Sequence, residues 1–169
     1  MKLEKGDLLL IEYTGKVAST NQIFETTDQE KAKEAGIFSA SESYGPRLVI
    51  YGNGYMIRGF EESLELCEIG QTNTFRLPPQ KAFGEKNQQL VKIVPEKYFL
   101  KNNIKPYPGL VVSLDGFIAK VKSVNSGRVV VDFNHPLAGE EVIYNIKVLK
   151  VIRDDKEKVE TILEHLAIP

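Results

Sequence analysis

The stretch Tyr51–Gly70, YGNGYMIRGFEESLELCEIG, decides how the rest of the chain is read. Gly52, Asn53 and Gly54 tolerate positive φ and so mark a turn. Beyond it Ile57, Phe60, Leu64 and Cys67 recur at intervals of three, four and three, which predicts the apolar face of a short helix. Gly70 stands where a left-handed residue would close that helix. So short a helix, led by Met56, Ile57 and Phe60, can lay an apolar floor beneath something else. The glycines do not build a nucleotide cradle. Gly54 and Gly59 have phosphate-loop spacing, but Phe60 and Glu61 follow where Lys and Ser or Thr are required. Ile57 likewise occupies the third glycine position of the dinucleotide fingerprint that Gly52 and Gly54 would begin.

A chain of 169 residues is long enough for one ordinary domain, or for a small domain carrying another within it. The net charge of −1 conceals an asymmetry. From Glu85 to Phe133 there are eight Lys/Arg against four Asp/Glu, a net of +4, and the remainder has fourteen against nineteen, a net of −5. A mildly basic middle inside an acidic frame suggests an inserted module, and the excess is too small to point to nucleic acid. Cys67 is the only cysteine, so neither an intrachain disulfide nor a thiolate metal cluster is available, and its place in the apolar stripe makes it a core residue. The opening MKLEKGDLLLIEY is charged and its apolar run is too short for a signal peptide. Nothing reaches membrane-span length. A cytoplasmic protein, not associated with membrane, is expected.

Outward from the central helix, Asp7–Val17 reads as a strand and Ile23–Thr27 as a short extended piece. Asp28–Gly36 is a polar helical turn or two, with Asp28 as N-cap and Gly36 as stop. Arg47–Tyr51 is a strand. Gln71–Leu77 alternates and ends at Pro78-Pro79, which cannot continue a ladder. Then comes a segment of its own: an extended run through Leu90, Val91, Ile93 and Val94, a helical turn beginning at Pro95, and strands Leu110–Leu114 and Phe117–Val124. Asp115-Gly116 between those strands is a two-residue hairpin signal, and Asn125-Ser126-Gly127 turns into Arg128–Phe133. After the NHPLAG turn, Glu141–Ile152 is apolar on both faces and belongs in the middle of a sheet. Asp154 or Asp155 caps a last helix whose Val159, Ile162, Leu163 and Leu166 form a stripe expected to pack on its own domain. The fold class is α+β: an antiparallel sheet with a short helix, interrupted by a small β-rich insert.

Groups for covalent or metal chemistry are scarce. His135 precedes a proline and His165 lies on the last helix, neither with a second ligand at metal spacing. Glu61, Glu62 and Glu65 read as one solvated helix side. No Gly-x-Ser-x-Gly elbow exists, and Cys67 has no general base near it in sequence. Neither cofactor nor metal is expected.

IEYTG (Ile11–Gly15), FETT (Phe24–Thr27), MIRGFEESL (Met56–Leu64), AFG (Ala82–Gly84) and VIYNIKVL (Val142–Leu149) resemble, in order, the motifs of FKBP-type peptidyl-prolyl cis–trans isomerases. The NHPLAG turn and the segment before it resemble the SlyD-type branch, in which an insert-in-flap chaperone domain replaces the flap. The resemblance implies a half-barrel sheet wrapped around the short helix, built from residues 1–85 and 134–169, with 86–133 as the inserted chaperone domain. By position it implies that Tyr13, Phe24, Glu25, Met56, Ile57, Phe60, Phe83 and Tyr144 form the catalytic prolyl site. Phe60 would be its floor, and Ile57 would offer its backbone N–H to the substrate carbonyl. Glu25 falls where the family usually carries Asp, and Phe83 where it usually carries Tyr. The second change removes a hydroxyl, so lowered activity and weaker macrolide binding are expected. The branch's histidine-rich tail has no counterpart in the closing EHLAIP, so nickel binding is not expected.

The insert holds many apolar residues for its size: Leu90, Val91, Ile93, Tyr98, Phe99, Leu100, Ile104, Leu110 and Val112. So small a unit buries only part of them, which predicts an exposed peptide-binding patch rimmed by lysines. The expected function is isomerisation of proline peptide bonds together with capture of unfolded polypeptides, by a monomer. The alternative is a chaperone or proline-peptide binding module that does not catalyse rotation.

Overall fold

The computed structural model describes residues 1–166, and the chain divides into two compact units. The first comprises Met1–Gly84 and the chain from Gly139 onward, and the second is Glu85–Ala138. The second unit was expected to close at residue 133. It runs on to Ala138, and within it Asn134 joins the two ends of the segment. Asn87 N donates to Asn134 Oδ1 at 2.9 Å, and Asn134 Nδ2 donates back to Asn87 O at 3.1 Å.

The first unit is a five-stranded antiparallel sheet ordered β2 (Ile23–Thr26), β1 (Leu8–Val17), β9 (Val142–Ile152), β4 (Thr72–Leu77), with β3 (Arg47–Ile50) also pairing β1. β9 lies between β1 and β4, as its two apolar faces require. Its Val142, Tyr144, Ile146 and Val148 face the core together with Leu9 and Ile11 of β1. Against this face lies α2 (Arg58–Leu64), only seven residues long and without a side-chain cap at Ile57. A helix this short is not stable alone. It is held by burying Phe60 and Leu64, each contributing ~1.5–3 kcal/mol. Gly59 lets it approach, since a Cβ there would stand 2.7 Å from Lys81 O and 2.9 Å from Leu77 Cδ2.

Two expectations about this region need correction. Gly70 is not the helix's closing residue. It has positive φ (+84°) but lies well past Leu64, and its N–H donates to Val148 O at 2.8 Å to start β4. Cys67 is fully buried yet lies beyond the helix, carried inward by a turn in which its N–H donates to Leu64 O. Burial pushes its thiol up, away from the nucleophilic form.

α1 (Gln29–Glu34) begins as expected, with Asp28 Oδ1 accepting from Glu30 N and Lys31 N at 2.9 and 3.1 Å. α4 (Asp155–Leu166) is capped by Asp154, whose Oδ2 accepts from Glu157 N at 3.0 Å. Its apolar stripe does not pack on the domain: Val159, Ile162 and Leu163 are 56%, 37% and 59% exposed. The side chain of Leu166 lies outside the described residues. Lys150–Glu157, an ion pair at 2.7 Å, holds the helix by its polar side instead.

The second unit is a four-stranded antiparallel sheet ordered β5 (Val91–Pro95), β8 (Arg128–Asp132), β7 (Phe117–Asn125), β6 (Val111–Leu114). Asp115 and Gly116 both have positive φ (+50° and +81°), the geometry of a two-residue hairpin turn. α3 (Glu96–Lys101) follows Pro95, which serves as its N-cap, so the helix begins one place later than expected. The core gathers Phe99, Val112, Leu114, Ala119, Val121, Val129 and Val131.

Candidate active site

Five rings from five different segments meet over α2. Phe60, on the first turn of the helix, lies 4.9 Å from Tyr144 of β9 and 5.1 Å from Tyr13 of β1, centroid to centroid. Tyr144 reaches on to Phe24 of β2 at 5.7 Å, and Phe24 to Phe83 at 5.6 Å. Every one of these contacts is edge-to-face, with interplanar angles between 75° and 86°. Such pairs are worth about 0.5–1.5 kcal/mol each beyond the area they bury. Phe60 and Tyr144 are buried at the centre of this ring cluster. Tyr13, Phe24, Phe83, Met56 and Ile57 are partly exposed and pack around them.

Ile57 is the N-cap residue of α2, with extended backbone (φ −61°, ψ 146°). The N–H of such a residue falls outside the helix ladder. Glu25 faces inward: its carboxylate accepts a short hydrogen bond from the Tyr144 hydroxyl. Burial, then the charge and hydrogen bond of Glu25, push the Tyr144 phenol far above its usual range, so it stays a proton donor.

Two contributors were missed in the sequence. Gly15 lies within β1, as the strand reading had it, but its place against the rings was not foreseen. A Cβ there would stand 2.6 Å from Tyr144 Cε1 and 2.8 Å from Phe24 Cζ. A glycine inside a strand signals close approach, and that signal was present. Arg47, the first residue of β3, donates to the Tyr13 hydroxyl at 2.6 Å and lies 5.6 Å from the ring centre. Burial pushes the Tyr13 phenol up, Glu25 adds to this, and Arg47 opposes it.

In the second unit the expected peptide-binding residues separate. Phe99, 1% exposed, and Val112 are core, so neither is available to a partner. Leu90, Ile93, Tyr98 and Leu100 are exposed; Val91 and Leu110 are partly buried. Exposed residues not anticipated are Tyr107, Val111, Phe117 and Ile118, the last 72% exposed. Strand alternation explains two of them: with Val112 and Ala119 turned inward, Val111 and Ile118 must point outward. His135 shapes the NHPLAG turn, its Nδ1 accepting from Leu137 N at 3.0 Å. Among the described residues no group of three or more His, Cys, Asp or Glu is placed to hold a metal ion. No helix among them is long and apolar enough to cross a membrane.

Residues 92–137 match the model of the FKBP26 IF domain. The chain is 34% identical over 149 residues to the short-type peptidyl-prolyl cis-trans isomerase of Methanocaldococcus jannaschii, spanning 88% of this chain and 94% of that protein. It is 31% identical over 111 residues to the FKBP-type 16 kDa peptidyl-prolyl cis-trans isomerase of Escherichia coli strain K12, spanning 63% of this chain and 74% of that protein. SlyD of Haemophilus influenzae is 23% identical over 162 residues, spanning 88% of this chain and 72% of that protein. The model of FKBP-type peptidyl-prolyl cis-trans isomerases matches residues 1–100, more than half the chain, and with these relatives it shows that the chain belongs to that family.

Proposed function

We propose that the aromatic cup is where this isomerase turns X–Pro bonds, and that the second unit is a holdase that captures unfolded chain and supplies prolines to it. Rotation about the imide crosses a barrier of about 18–20 kcal/mol, because amide resonance is lost at the twisted state. That state is less polar than the planar one, so a dry aromatic cup binds it better. Differential binding of this kind needs no bond making. Tyr13, Phe24, Phe83 and Met56 enclose the proline ring over Phe60 and Tyr144. The backbone N–H of Ile57 donates to the substrate carbonyl. Glu25 acts on the cup by fixing the ring of Tyr144.

The observation that carries this reading is the unbroken edge-to-face series from Tyr13 to Phe83. All the rings come from one chain, so a monomer suffices. A single buried free cysteine suits the reducing cytoplasm. For the second unit, the exposed Ile93, Leu100, Val111 and Ile118 support capture of apolar chain. β5 and β6 are edge strands that can accept an extended segment. Covalent attachment to the cup through the same chain would then raise the local concentration of prolines.

A protease-coupled assay on a short proline peptide tests the cup: catalysed cis-to-trans conversion is expected. Binding of that peptide without acceleration would leave the non-catalytic module as the better reading. Suppressed aggregation of an unfolded protein at stoichiometric concentrations tests the holdase.

A further inference from the structure

On its Tyr13 side the cup adjoins a second, polar hollow. It has a volume of about 140 Å³ and shares Tyr13 and Phe24 with the cup. Ala32 of α1, fully buried, lies at its base, and Glu25, Glu42, Tyr44 and Arg47 line it. The volume is close to the roughly 150 Å³ of a cavity that takes up a benzene ring. One side chain fits; a folded segment does not. Adjacent Cα atoms are only ~3.8 Å apart, so with a proline in the cup the side chain within reach is that of its neighbour.

The charges in the hollow are unequal. Two carboxylates, Glu25 and Glu42, and one guanidinium, Arg47, act on the Tyr13 hydroxyl. Arg47 spends a donor on that hydroxyl, and among the described residues no carboxylate lies within 4.0 Å of it as an ion pair. Glu25 is held by Tyr144, whereas Glu42 is exposed at the opening. The hollow therefore carries a net negative charge that its own arginine does not cancel.

We infer that this hollow receives the side chain next to the substrate's proline and selects a basic one, with Glu42 as the residue that sets the preference. The inference rests on the cup being the proline site. A lysine or arginine side chain lays its methylene stem along Phe24 and brings its cationic head to the carboxylates. An aliphatic neighbour gains only the stem contact. An acidic one meets two like charges.

The test uses the full chain and three matched short peptides, with Lys, Leu or Glu beside the proline, made in two series: before it and after it. In at least one series KM should be about threefold lower for Lys than for Leu and higher still for Glu, the size expected of an exposed ion pair. kcat should not change, because such a contact binds planar and twisted states alike. Raising the salt to about 1 M should erase most of the difference. Glu42→Gln should remove the lysine advantage and Glu42→Lys should invert it in favour of Glu, an inversion no general loosening of the fold produces. Equal KM for all three peptides in both series, or a lysine advantage that survives Glu42→Lys, overturns the inference. No turnover of the Leu peptide by the unaltered protein would instead overturn the cup assignment on which the hollow depends.

Discussion

A methyl group added at Gly15 would lie well inside van der Waals contact with both Tyr144 and Phe24. Neither ring can withdraw without breaking its contacts with Phe60 or Phe83. Gly15→Ala is therefore expected to cost about 1–3 kcal/mol in urea denaturation and to lower kcat/KM at least about tenfold, since overpacking strains the site itself. Tyr144→Phe removes the hydroxyl that Glu25 uses and leaves a part-buried carboxylate unsatisfied, at about 1–3 kcal/mol by the same measurement. Phe83→Tyr should lower KM for a proline peptide; an unchanged KM would end the argument from the missing hydroxyl. Asp7 supplies a pH dependence. Burial raises its carboxyl, but the Glu4 backbone N–H and the Arg153 guanidinium outweigh this and hold it below the ordinary 3.8. A lowered folded value adds stability above the unfolded pKa, lost as pH falls through the folded one. Asp7→Asn should thus melt lower than the parent at pH 7, with the gap closing below about pH 4. The aromatic positions were legible as residue types in order. The Glu25–Tyr144 bond was not, because it joins residues 119 apart and depends on strand register.

Among the elements, those whose ends are decided by a local hydrogen bond or a turn dihedral were readable from the chain. Asp28 before α1 and Asp115-Gly116 between β6 and β7 are of this kind. Asp28→Ala is expected to cost about 1 kcal/mol in thermal or urea unfolding, the usual worth of such a cap. β9 was readable as a central strand because being apolar on two faces has one solution in a sheet. The extent of α2 was not, because Cys67 continues the helical period while the backbone has already turned away. The α4 stripe shows the same limit: periodicity identifies an apolar face without saying what lies against it. As Leu163 is exposed, Leu163→Ser should change stability by no more than about 0.5 kcal/mol. A larger loss, together with a dimer mass in light scattering, would mean a partner covers that face.

For the molecule as a whole, composition and the break after Ala82-Phe83-Gly84 were enough to reveal two units, but not where the second ends, since Asn134 closes it through its side chain. Gly139 N donates to Gly84 O at 2.7 Å, so the first unit's two chain ends already meet. Replacing Glu85–Ala138 by a linker of about four residues, an ordinary hairpin length, should leave short-peptide turnover intact. Turnover of a refolding protein should fall; if it does not, capture by the second unit is not what delivers prolines. The central position of β9 bears on how the chain matures on the ribosome. Units generally fold as they emerge, at about 5–20 residues per second, and the second unit is one continuous stretch that emerges ahead of β9. The first unit's sheet has a gap between β1 and β4 until that strand arrives. A nascent chain stalled with only the residues up to about 140 outside the ribosome should therefore resist protease across Glu85–Ala138 and be cut freely upstream, the would-be holdase standing ready while its own isomerase half is still an unfolded client.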